Sequence, residues 1–147
     1  IERAKKLNIE CIVFNREQFA KSDEVVTILK DANIDLVVLA GFLWLVPSNL
    51  IKAYPNKIVN IHPALLPNYG GKGMYGDNVH KAVIENQEPV SGITIHYVNE
   101  KYDDGEHVFQ VACEVKPNDT PEKLAEKIHA LEYEHFPKVV ERVLDKI

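Results

Sequence analysis

Asp35-Leu-Val-Val-Leu-Ala40 carries one charge at its head and five apolar residues behind it. A continuous apolar run of this length is how a strand reads when helices cover both faces of its sheet, so it predicts a central, parallel strand. Upstream, Asp23–Ala32 places Val25, Val26, Ile28 and Leu29 at helical spacing. Before that, Ile9–Phe14 reads as another strand, and Ile1–Asn8 as the closing turns of a helix with no N-cap ahead of it. The chain thus opens on half of a strand–helix–strand unit. With Ile1 first and Met74 the only methionine, the expectation is a fragment whose N-terminal strand–helix portion is missing.

Downstream, Lys57-Ile-Val-Asn-Ile-His62 is a shorter strand with polar groups at its C-terminal end. Gly92–Val98 and Val108–Val115 alternate with the strand period and follow one another like a hairpin, which adds a possible antiparallel edge. Pro47–Ala53 and Asn78–Asn86 read as helices. The last helix opens with Thr120-Pro121-Glu122: an N-cap, a proline in the first turn and an acid facing the helix dipole. Its inner face is Leu124, Ile128 and Leu131, and Pro137 is expected to kink or interrupt it before Val139, Val140 and Val143. Helices alternating with buried strands predict an α/β fold, a mostly parallel open sheet with helices on both faces. No repeat or linker divides it, so residues 1–147 read as a single domain.

Composition agrees: 147 residues, 46% hydrophobic and 27% charged, is ordinary globular material. Lys and Arg number 17 against 22 Asp and Glu, a net charge of -5. That balance argues against nucleic acid and against an anionic membrane surface as partners. The apolar runs Leu36–Ala40 and Phe42–Val46 fall far short of the roughly 18 residues of a spanning helix. Cys11 and Cys113 are too few for a disulfide framework, which points to the reducing cytoplasm. Both fall in apolar strand-like segments, so neither reads as a nucleophile.

Open α/β sheets hold their ligands at the C-terminal ends of parallel strands. That rule selects Asn60 and His62, which the strand period puts on one face. Pro63 ends the ladder behind them and Pro67 stiffens the exit. An amide N–H can bind a developing oxyanion and an imidazole can move a proton, the parts an acyl transfer needs. A capped strand end with satisfied polar groups would use the same residues. The acidic loop Asn99–Gly105 brings Asp103 and Asp104. A carboxylate beside His62 would stabilise the imidazolium and raise the histidine's pKa, although Asp-Gly is also common turn chemistry.

Other features point elsewhere. Tyr69–Gly76 holds four of the seven glycines but fits neither G-x-x-x-x-G-K-[ST] nor G-x-G-x-x-G, and reads as a loop near the site. The six histidines never take a ligand spacing, so no metal is expected. His80, His129 and His135 read as helix-surface or packing residues, His107 as exposed, and His96 as a strand residue or part of the site. Gly41-Phe-Leu-Trp-Leu-Val46 is an apolar loop, suited to a core or to the wall of a flat heterocycle's pocket.

Asn60-Ile-His-Pro-Ala-Leu-Leu-Pro67 together with Tyr102-Asp-Asp-Gly105 resembles the folate-dependent formyltransferases. Ala40–Val46, Gly92–His96 and Leu131–Pro137 fall where that family has matching segments, so the resemblance spans essentially the whole chain. It is closest to the branch that formylates glycinamide ribonucleotide in purine synthesis. It implies a Rossmann-like fold, 10-formyltetrahydrofolate as donor and the glycinamide amine as acceptor. It implies that Asn60 holds the formyl oxygen, and that His62, as imidazolium, stabilises the tetrahedral intermediate and passes protons. It gives Asp103 the task of orienting water and keeping His62 charged; the Asp-x-Gly pattern selects Asp103 over Asp104. Leu43, Trp44, Leu45, Val46 and Asn60 would face the folate, and Glu132 the acceptor. Trp44 stands where many members are expected to carry arginine, and the family's Gly-Ser-Gly-Ser-Asn loop for the acceptor phosphate is not in this sequence. The alternatives are a formyltransferase acting on methionyl-tRNA, which the acidic charge disfavours, a formyltetrahydrofolate hydrolase, or a silent folate-binding module.

Overall fold

The computed structural model describes residues 1–147. One open sheet runs in the order β1 (Val37–Leu39), β2 (Ile58–His62), β3 (Val90–Tyr97) and β4 (His107–Glu114). β1 and β2 are parallel, with Val37 opposite Ile58 and Leu39 opposite Asn60. β2–β3 and β3–β4 are antiparallel, so the antiparallel part takes in two of the three pairings and not merely an edge.

Helices are α1 (Glu2–Lys6), α2 (Arg16–Lys21), α3 (Glu24–Asp31), α4 (Ser48–Ala53), α5 (Asp77–Glu85) and α6 (Pro121–Leu144). The two-residue strand period sorts the core into two clusters on opposite faces. Ile58 joins Phe19 of α2, Val25 of α3 and Leu50 of α4, with Val46 and Tyr54. Ile61, Ile93 and Ile95 pack instead against Val79 and Val83 of α5 and Leu124, Ile128 and Val139 of α6. Helices therefore cover both faces, as the alternating pattern requires. No helix is long and apolar enough to cross a membrane.

Three expectations change. Ile9–Phe14 forms no strand, and Ile9, Ile12 and Val13 are exposed along with Cys11. Strand geometry needs a second backbone to take its N–H and C=O groups, and none lies beside this segment. β1, for the same reason, is an edge strand with β2 as its one neighbour, and Val38 is exposed, not covered. α6 runs unbroken through Pro137. The proline removes one hydrogen bond, but Leu124 and Ile128 before it and Val139 and Val143 after it are all buried on one face, and that packing holds the helix together. Its start is as expected: the Thr120 hydroxyl accepts from Lys123 N–H at 3.3 Å. α2 escaped the sequence reading although Asn15 and Gln18 form a reciprocal capping box.

Candidate active site

β2 delivers Asn60 and His62 at its C-terminal end, and the turn behind them is anchored from the neighbouring strands. Thr94, opposite His62 on β3, donates its hydroxyl to the Ala64 carbonyl at 2.7 Å and accepts from Leu66 N–H at 3.0 Å. Gln110 on β4 donates to Thr94 Oγ1 at 2.8 Å and to the Leu66 carbonyl at 3.1 Å. The result is a fixed platform under His62, itself only 3% exposed.

Asp103 reaches this platform from the loop after β3. Its φ is +52°, a left-handed conformation that aspartate tolerates better than most residues. Two residues on, a Cβ on Gly105 would lie 1.7 Å from the Tyr97 carbonyl oxygen, so only glycine lets the loop turn back there. The glycine of the Asp-x-Gly pattern is thus a packing requirement. Asp103 Oδ2 accepts from Gly71 N–H at 2.9 Å, while Oδ1 lies 3.5 Å from His62 Nδ1 and 3.6 Å from His96 Nε2. His62 Nε2 donates to the Tyr69 carbonyl at 2.7 Å.

Asn60 is set from behind by His96, its partner across the β2–β3 ladder. His96 Nδ1 donates to the Tyr97 carbonyl at 2.8 Å, and its Nε2 lies 3.2 Å from the Asn60 amide nitrogen, within hydrogen-bond reach. One amide N–H is thereby held and the other remains to bind an oxygen.

The electrostatics differ from the sequence expectation in one respect. Burial pushes the His62 pKa below its ordinary 6.5; the Asp103 charge and the Tyr69 carbonyl pull it up, but not enough to win. His62 is therefore neutral at rest near neutral pH instead of being kept charged. Burial pushes the Asp103 carboxyl up, but the His96 ring, the His62 ring and the Gly71 N–H together bring it below the usual range, so it is ionised.

These groups open onto a cavity of about 820 Å3, within the range of small-molecule sites. Leu43, Trp44, Asn60, His62, Asp103 and Glu132 all line it. Leu45 lies on an adjoining cleft of about 50 Å3 and is exposed to solvent, and Val46 is buried in the core behind it. Trp44 is braced by Phe42, Phe19 and Phe14, with ring centroids at 5.7, 5.9 and 6.5 Å. Burial raises the Glu132 pKa, with His129 partly opposing it. The glycine-rich loop contributes Gly71 through Gly76 to the wall.

His80, His129 and Arg16 also line the cavity and were not singled out by the sequence reading. His80 is buried, the packing alternative of the two that the sequence left open. One signal was available: His129 precedes Glu132 by three residues, which puts both on one side of a helix. No group of three or more His, Cys, Asp or Glu side chains is placed to hold a metal ion.

The open α/β sheet is Rossmann-like, and an amide, an imidazole and a carboxylate gathered at a strand end are groups that can bind a developing oxyanion and move a proton. The particular family follows from comparison: residues 1–140 match the formyl transferase family model, and the chain belongs to that family. It is 44% identical to a chloroplastic phosphoribosylglycinamide formyltransferase of Arabidopsis thaliana, covering 99% of this chain and 51% of that protein. With the Bacillus subtilis phosphoribosylglycinamide formyltransferase it shares 34% identity, covering 98% of this chain and 73% of that one. The crystal structure of the Bacillus halodurans phosphoribosylglycinamide formyltransferase superposes with a TM-score of 0.87 at 37% identity, over 99% of this chain and 74% of that chain. The chain thus spans about half the length of the plant relative and about three quarters of the bacterial ones.

Proposed function

We propose that the protein transfers the formyl group of 10-formyltetrahydrofolate to the amine of glycinamide ribonucleotide, a step of purine synthesis. One observation carries the reading: Asn60, His62 and Asp103 converge on a single cavity with an aromatic wall at Trp44 and a carboxylate at Glu132. The identity to relatives bearing that activity in their names supports it. The folate lies along Leu43 and Trp44, and the acceptor enters beside Glu132.

The amine attacks the formyl carbon and the carbonyl oxygen becomes an oxyanion, which the free N–H of Asn60 stabilises. Neutral His62 takes the proton that the amine sheds, and the ionised Asp103 steadies the imidazolium that results. His62 then returns the proton to the departing folate nitrogen, so no net proton is gained or lost. The reaction needs no metal and no covalent intermediate on the protein. Both partners are small molecules; both cysteines are free, which fits a reducing compartment such as the cytoplasm.

The test supplies the full-length protein with 10-formyltetrahydrofolate and follows the folate product with glycinamide ribonucleotide, then with water as the sole acceptor. Turnover that depends on the ribonucleotide is the expected result. Turnover without it means a hydrolase, and none in either case removes the enzyme reading for these substrates.

A further inference from the structure

His80 has no role in the chemistry above, yet it is placed unusually. It sits at the fourth residue of α5, only 3% exposed, and its Nδ1 is sealed from solvent without a hydrogen-bond partner. The same ring lines the large cavity beside His129 and Glu132. Buried polar atoms are nearly always paired, so an orphan on a cavity wall calls for a reason. A proton on Nδ1 would be a buried donor with nothing to receive it. The proton therefore belongs on Nε2, the one ring nitrogen left to reach the cavity. Burial and the neighbouring His129 also push the ring toward its neutral form, with Asp77 only partly opposing them. His80 thus presents a neutral N–H donor, and Glu132 on α6 presents an acceptor to the same space. That pair suits a hydroxyl, which both gives and takes a hydrogen bond; a phosphate would meet the carboxylate's charge.

We propose that His80 determines specificity for the acceptor, donating its Nε2–H to a hydroxyl oxygen of the acceptor's ribose in a subsite shared with Glu132. The inference rests on the acceptor assigned under the proposed function and adds a residue and a recognised group to it.

The experiment measures steady-state kinetics of the full-length protein with glycinamide ribonucleotide and with its 2′-deoxy and 3′-deoxy analogues. His80→Leu, which removes the donor, should raise the acceptor KM about tenfold, the value of one lost hydrogen bond near 1.4 kcal/mol. The donor KM and kcat should stay within about twofold, and His80→Asn, which keeps an N–H, should recover most of the loss. On the analogue lacking the recognised hydroxyl, His80→Leu should cost nothing further. An unchanged acceptor KM in His80→Leu, or an equal rise in the donor KM, overturns the proposal while leaving the proposed function standing. So does a wild type that binds the ribonucleotide and both deoxy analogues equally, a result needing no variant to fold. A wild type that does not formylate the ribonucleotide overturns the proposed function, and this inference with it.

Discussion

His62 and Asp103 face each other with Nδ1 3.5 Å from Oδ1, while the other ring nitrogen of His62 is committed to the Tyr69 carbonyl at 2.7 Å. An imidazolium formed on His62 therefore has an acceptor on each side, yet burial keeps that form unfavourable at rest. The site is poised to accept a proton during the reaction and not to hold one before it.

The titration of His62 tests this directly. Its midpoint, followed by the NMR signal of its ring, should lie below 6.5. Asp103→Asn removes the charge that draws the proton in, so the midpoint should fall further. The sign carries over to stability. The unfolded chain takes up this proton near pH 6.5 and the folded chain only at lower pH, so this residue's contribution is intact above 6.5 and declines as the pH falls below it. A midpoint at or above 6.5 in the wild type would contradict the assignment of a neutral resting base.

Asn60→Ala removes the amide that His96 orients at 3.2 Å. Loss of one oxyanion donor lowers kcat by about 100- to 1000-fold in comparable sites. The acceptor KM should barely move, because the interaction develops only as charge builds on the oxygen. His96→Leu should give a smaller fall in kcat by freeing the Asn60 amide to rotate. If His96→Leu proved as damaging as Asn60→Ala, His96 would have to touch the reacting group itself.

Gly105→Ala should displace the loop that carries Asp103. The new methyl would lie 1.7 Å from the Tyr97 carbonyl oxygen, a backbone atom that cannot swing aside. Overpacking of this kind costs about 1–3 kcal/mol, and kcat should fall as well because the carboxylate moves with the loop. Thermal melting and initial rates on the same preparation check both effects. A variant with wild-type melting and wild-type kcat would show the loop to be freer than the contact implies.

Much of this site was legible in the sequence, because its chemistry sits on a strand whose end is marked. Period 2 put Asn60 and His62 on one face, and Pro63 fixed where the strand stops. The choice of Asp103 over Asp104 came from the Asp-x-Gly pattern of the family the sequence resembles, and in the structure it is Asp103 whose carboxylate lies 3.5 Å from His62. What escaped is what depends on distant neighbours. The run Asp35–Ala40 looks central by composition, but whether a strand is central depends on what pairs with it, and Ile9–Phe14 does not. The pKa of His62 turns on burial, which no local pattern reports, so the sign of its shift was read wrongly from the carboxylate alone. His80 escaped for the same reason: helix spacing says which residues share a side, not what cavity that side meets.

Thr94 is the hinge between stability and activity. Its hydroxyl is fully buried and serves three partners, the Ala64 carbonyl, the Leu66 N–H and the Gln110 amide. Thr94→Val keeps the shape and deletes the hydroxyl, leaving the Leu66 N–H and the Ala64 carbonyl buried and unpaired. Each such orphan costs about 1–3 kcal/mol, so denaturant unfolding should show a loss of at least that size. Thr94→Ser, which retains the oxygen and loses a methyl, should recover most of it. Because the turn from Ala64 to Leu66 underlies His62, the folded fraction of Thr94→Val should also turn over more slowly, even below its melting point. A valine variant that lost stability but kept full kcat would separate the platform from the chemistry. One that lost neither would mean that water or a shifted backbone replaces the hydroxyl.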